Sequence, residues 1–201
     1  MIIDGMSKAE IVESIEHDIL TLSDRLDELV IPKLKRLLAK SKKKHILTWD
    51  KYRCHFNDYI VVFAVTKKNN SLYVVNYHQT SIGLRFVAPY IGLHNWSFYN
   101  AHFISRYRER MELDIEDPLE VAAKYFMRNI GFTDSQTETR GNKRHYLASI
   151  TDGIALGYKQ ENIYTWNTFV ALKMLSKNQA WIDEKNVLAN MAINIKEAIK
   201  C

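Results

Sequence analysis

Apolar residues near the start of the chain recur at steps of three and four: Ile11, Ile15, Ile19, Leu22, Leu26 and Leu29. That spacing draws one apolar stripe along a helix. Ser7 and Glu10 form an S-x-x-E capping pattern at its start, in which each side chain satisfies a free backbone donor. Such a stripe must be covered, either by the chain's own domain or by a second copy in a coiled coil. The run is only about three heptads long, which favours the first and leaves a homodimer through the N-terminal helix as the other expectation. Pro32 then breaks the helix or starts a new one.

The next segments are rich in β-branched and aromatic residues. YIVVFAV and SLYVVNYH flank the turn residues KKNN, so Tyr59 to His78 is predicted as a hairpin, with ILTWDKYRCHF as a preceding strand. IGLRFVAPYI reads as a further strand that Pro89 ends or places on an edge. Helical pattern returns in NAHFISRYRERM and in DPLEVAAKYFMRN, where Asp117 is the expected cap and Pro118 takes the first position. Thr133 to Asn142, TDSQTETRGN, is polar and expected to be a mobile loop. HYLASITDGIALGYKQENIYTWNTFV resumes β character, with a tight turn at Asp152 and Gly153. Ala180 to Ile199 reads as a closing amphipathic helix with Trp181, Leu188, Met191, Ile195 and Ile199 on one side. Helices, strands, helices, strands and a helix make an α+β fold with a mainly antiparallel sheet. The expected division is an N-terminal helical region with a basic end, 1–45, and an α+β domain, 46–201.

Composition sharpens this picture little. With 201 residues, 47% hydrophobic and 25% charged, the chain is long enough to bury a core and is not a disordered composition. Two cysteines, Cys54 and Cys201, provide neither a disulfide framework nor a paired-cysteine zinc site. No stretch approaches the roughly 18 apolar residues of a membrane span, and the N-terminus lacks a basic region followed by an apolar run. The expectation is a cytoplasmic protein without a membrane segment.

Charge matters more. The net charge of +5 favours acidic partners. Between Ile31 and Trp49 stand Lys33, Lys35, Arg36, Lys40, Lys42, Lys43 and Lys44, with no acidic residue. They suit a solvated helix face near a negative dipole end, or contacts to a nucleic-acid backbone whose strength falls with salt.

The densest chemistry lies in Asn100 to Met111. On a helix, Phe103, Ile104, Tyr107 and Met111 share one side, while His102, Arg106 and Arg110 follow at four-residue spacing along another. Guanidinium forks match phosphate oxygens and imidazole titrates near neutrality, a combination that metal-free RNA cleavage requires. Glu109, Glu112 and Asp114 are close enough to pair with the arginines instead. His55, His78, His94 and His145 are scattered, and neither H-E-x-x-H nor C-x-x-C occurs, so no metal and no cofactor is expected.

YNAHFISRYRERM followed by a β-rich half ending in IYTWNTFV resembles phage-encoded and toxin-type members of the barnase, EndoU, colicin and RelE-like class of metal-independent ribonucleases. The resemblance spans about Asn100 to Lys173. It implies a small α+β domain with a curved antiparallel sheet and cleavage through a cyclic phosphate. His102 would then be general acid or base, Arg106 the phosphate clamp, with Arg110 along the same edge and Thr165 or Thr168 orienting phosphate or histidine. The long N-terminal helical region departs from that pattern, and His145, beside Lys143 and Arg144, is the only nearby second histidine. T-W-N-T-F equally fits a strand end followed by an N-cap, and Tyr158, Tyr164 and Trp166 fit a strand's core positions. RNA is the implied partner, with a neutralising protein as a further expectation. The other account is a noncatalytic nucleic-acid or protein interaction module built on the basic segment and the N-terminal helix.

Overall fold

The computed structural model describes residues 2–90, 95–129, 131–140 and 143–175, with the backbone alone at 138–140 and 143. The predicted closing helix, with Trp181 to Ile199, lies outside the described residues, as does Cys201.

Four α-helices and nine strands are described, with a short 3-10 turn at Leu172–Met174 after the last strand. They are α1 (Lys8–Leu29), α2 (Ile31–Lys40), β1 (His45–Cys54), β2 (Asn57–Thr66), β3 (Asn70–Thr80), β4 (Gly83–Tyr90), β5 (Asn95–Tyr99), α3 (Ala101–Arg110), α4 (Pro118–Arg128), β6 (Thr133–Arg140), β7 (Lys143–Ile150), β8 (Gly153–Gln160) and β9 (Ile163–Ala171). The strands make one sheet in the order β1-β2-β3-β4-β5-β9-β8-β7-β6. Two antiparallel meanders, β1–β5 and β6–β9, meet where β9 lies parallel to β5, Phe98 opposite Thr165. The fold is thus α+β with a mostly antiparallel sheet.

The capping box of α1 forms as the sequence predicts, Glu10 N–H donating to Ser7 Oγ and Ser7 N–H to the Glu10 carboxylate. Ile11, Ile15, Ile19, Leu22 and Leu26 are buried, together with Tyr59, Val61, Phe63, Val74, Val87, Trp96 and Phe98 of the sheet. The chain's own sheet therefore covers the stripe that could have joined a second copy, and the N-terminal helices share a core with β1–β5. Leu29, at the stripe's end, is exposed.

The opposite face carries α3 and α4 on a cluster of aromatic rings, including Tyr99, Phe103, Tyr107, Tyr125, Phe126 and Phe169. Phe103 and Tyr107 both meet the Phe169 ring edge-on. A buried carboxylate locks these helices to the β7–β8 turn. Asp152 accepts from Tyr107 Oη at 2.6 Å, from Asn129 Nδ2 at 3.0 Å and from both Nε and Nη2 of Arg128. Gly153, next to it, is required by close approach, since a Cβ there would lie 2.0 Å from the Val170 carbonyl oxygen.

Two local expectations are corrected and a third is narrowed. Thr133–Arg140 is strand β6, the last strand of the sheet, and its uniformly polar sequence is held there by hydrogen bonds to β7. Of the two alternatives for Pro89, it stands at the end of its strand, next to the last residue of β4, and not on an edge, since β4 is flanked by β3 and β5. Thr165 to Thr168 are interior to β9, not at a helix start.

The sheet has two ends with different chemistry. One carries the β2–β3 turn at Lys67–Asn69 and the start of β9. The other carries the β1–β2 turn, the β3–β4 turn, the β7–β8 turn and the entry into α3.

Candidate functional site

α3 begins where β5 ends. Asn100 is its N-cap residue, and its Nδ2 donates to Asn167 Oδ1 of β9 at 3.0 Å. Burial of Phe103, Ile104 and Tyr107 fixes the helix's rotation and turns His102 to solvent. Arg106 Nε then donates to His102 Nε2 across 3.4 Å, while its Nη1 donates to Glu109 at 2.7 Å. That hydrogen bond directs the Nε2 lone pair at the Arg106 guanidinium. Part of the Arg106 fork is already engaged by a carboxylate, as the acidic neighbours of this stretch allow. Arg110 is half-buried, and its Nη1 is shielded from water with no hydrogen-bond partner among the described residues. It does not offer an open fork beside His102.

The remaining members of the expected site lie elsewhere. Phe169 points at α3, so by strand alternation Thr168 faces the other side of the sheet. Thr165 is buried on that same side and accepts a hydrogen bond from Lys8 Nζ of α1. The Lys8 ammonium lies over the Phe98 and Tyr158 rings, which places Tyr158 beneath α1 rather than beside a base. Trp166 and Tyr164 are core, stacked on each other at 5.3 Å. His145 pairs with Tyr158 near the start of β7, at the end of the sheet remote from α3. The structure therefore gathers His102 and Arg106, and keeps Thr165, Thr168 and His145 apart from them.

The basic segment is better built. Lys42, Lys43 and Lys44 follow α2 and meet Lys67 and Lys68 of the β2–β3 turn in an open depression, completed by Ser41, Thr66 and Asn69. Five lysines thus line one surface with no carboxylate among the lining residues. Lys33 lines a second depression, at the other end of α2, with Arg25, Lys51 and Arg53. Arg53 pairs with Asp58 at 3.2 Å and Lys51 with Asp117 at 3.7 Å, so the second surface is partly neutralised. Lys35 is half-buried, while Arg36 and Lys40 project from α2 into solvent. Sequence reasoning missed Lys67 and Lys68 because KKNN has the composition of a turn. Only strand register carries that turn to the end of α2.

No helix among the described residues is long and apolar enough to cross a membrane. Neither a family model, a curated protein nor a solved structure matches the chain.

Proposed function

We propose that the protein binds RNA, its phosphates held by the lysine-lined depression at the end of α2. The observation that carries this reading is the convergence of Lys42, Lys43, Lys44, Lys67 and Lys68 without a compensating carboxylate on the surface they line. Like charges drawn together repel, and a polyanion relieves that repulsion while releasing its own counterions. The choice of RNA comes from the resemblance, because lysines recognise phosphate and not the sugar. The α2 helix, ten residues long, separates the two basic depressions by about 15 Å, a span of several phosphates.

Filter binding across salt tests this. Five phosphate contacts give a log–log slope of about −3.5 on single strands. The triple change Lys43→Glu, Lys44→Glu and Lys68→Glu should flatten the slope and weaken binding at least tenfold. A flat response in the unaltered protein would remove nucleic acid as the ligand.

Cleavage is a second reading, supported by the exposed His102 ring that accepts from Arg106. With no other imidazole on that edge among the described residues, Arg106 would turn from Nε2 to the phosphate, and the freed nitrogen would take the 2′-hydroxyl proton and then return it to the leaving 5′ oxygen. Cleavage of this kind persists in EDTA and leaves 2′,3′-cyclic phosphate ends. His102→Ala should abolish it with RNA affinity nearly unchanged, and cleavage that survives the change would clear His102.

A further inference from the structure

Asp18 is an unusual residue for the inner side of α1, its side chain only 3% exposed. Its Oδ2 accepts from Tyr59 Oη at 2.7 Å and from Asn57 Nδ2 at 2.8 Å. Its Oδ1 lies 2.7 Å from Nδ1 of His55 and 3.7 Å from Nδ1 of His17. A fixed carboxylate thus stands at the floor of the cluster.

The two rings stand over it with their centroids 5.1 Å apart and their planes at 57°. His17 is 76% and His55 47% exposed, so the cluster opens to solvent. His55 occupies the β1–β2 turn with φ +48, a left-handed backbone that a non-glycine residue seldom adopts. A plain His55–Asp18 pair explains one ring at the carboxylate. It leaves the second ring, His17, with its Nδ1 3.7 Å from the same carboxylate oxygen.

One ligand atom from each of His17, Asp18 and His55 lies within 4.8 Å of the other two. Ligands around a tetrahedral zinc ion stand about 3.3 Å apart, given bonds of about 2.0–2.1 Å. The His55–Asp18 separation of 2.7 Å would open and the His17–Asp18 separation of 3.7 Å would close to meet that spacing, each by about half an ångström. We infer that His17, Asp18 and His55 form a binding site for a divalent transition ion of the zinc type, with the fourth coordination position open to solvent. Two imidazoles and one carboxylate suit zinc, copper or nickel and disfavour magnesium or calcium, which prefer oxygen alone. Tyr59 and Asn57 supply the outer hydrogen bonds that orient a ligating carboxylate. Cys54 is adjacent, its Sγ 3.5 Å from His55 Nδ1, but it donates its thiol to the Asp18 carbonyl oxygen, so the ligand set is two nitrogens and an oxygen.

Calorimetric titration of the chelator-stripped full chain with Zn²⁺ tests the site. One ion should bind per chain, His17→Ala and His55→Ala should each weaken binding at least tenfold, and His102→Ala should leave it unchanged. Both changed rings are exposed, so circular dichroism should show the fold retained. Co²⁺ in place of Zn²⁺ should give visible d–d bands without an intense thiolate charge-transfer band. No saturable uptake, or uptake equal in all three variants, would overturn the inference, and a thiolate band would overturn the ligand set.

Discussion

His78 on β3 shows how much one side chain can couple stability to pH. It is 8% exposed, its Nδ1 lies 3.0 Å from Asn76 Oδ1, and its Nε2 is shielded with no partner among the described residues. Asn76 therefore holds the ring's proton on Nδ1 and leaves Nε2 as a buried lone pair. Burial first, and then the charge of Arg85 directly opposite on β4, push its pKa down to about 4, against a smaller opposing pull from Asp4. The unfolded ring, titrating near 6.5, takes up a proton that the folded ring refuses. Stability is then complete above about pH 6.5 and falls as pH drops toward 4, by about 3 kcal/mol over the window. Urea unfolding at pH 7 and pH 4.5 should show this loss in the native chain and a smaller one in His78→Gln. An equal loss in both would place the pH dependence in the carboxylates instead. At this scale the residue types in the sequence were informative but their surroundings were not. Thr165 is the instructive contrast: a hydroxyl expected near a phosphate is bonded to Lys8, which lies 157 residues earlier.

At the scale of elements, periodicity was a good guide wherever one face was apolar. The α1 stripe, the β2–β3 hairpin, the Asp117 cap on α4 and the Asp152–Gly153 turn all stand where the pattern placed them. Thr133–Arg140 was misread because its side chains carry no apolar alternation, and its strand exists through hydrogen bonds to β7. Within the N-terminal region, 1–45, α1 buries Ile11, Val12, Ile15, Ile19, Leu22 and Leu26 against β1–β5, the packing that its short apolar run favoured. Burial of six such side chains is worth on the order of 10 kcal/mol, as much as a domain's whole stability. Deleting residues 1–31 should therefore give a chain that aggregates or loses cooperative unfolding. A soluble truncation with a sharp thermal transition would show that the sheet stands without α1.

Across the whole molecule the two chemistries of the sequence lie apart. The five-lysine depression belongs to the end of the sheet that carries the β2–β3 turn, and the His102–Arg106 edge belongs to the end where β5 passes into α3. Under the proposed function, an RNA held at the first would extend along the molecule to reach the second. Binding and any cleavage are accordingly separable: the lysine reversals should change the salt slope, whereas His102→Ala should not. The proposed metal cluster lies at the α3-entry end too, but on the face covered by α1.

By itself the sequence determined the helix and strand periods, the α+β class, the excess of positive charge and the candidate status of His102 and Arg106. These follow from local stereochemistry and composition, which short segments carry within themselves. Tertiary structure alone decided which face covers the α1 stripe, that Lys67 and Lys68 join Lys42 to Lys44, that Thr165 and Thr168 turn away from α3, and that His55 meets His17 and Asp18. Each of these depends on strand register and on contacts between residues distant in the chain, where a shift of one position exchanges the two faces of a strand.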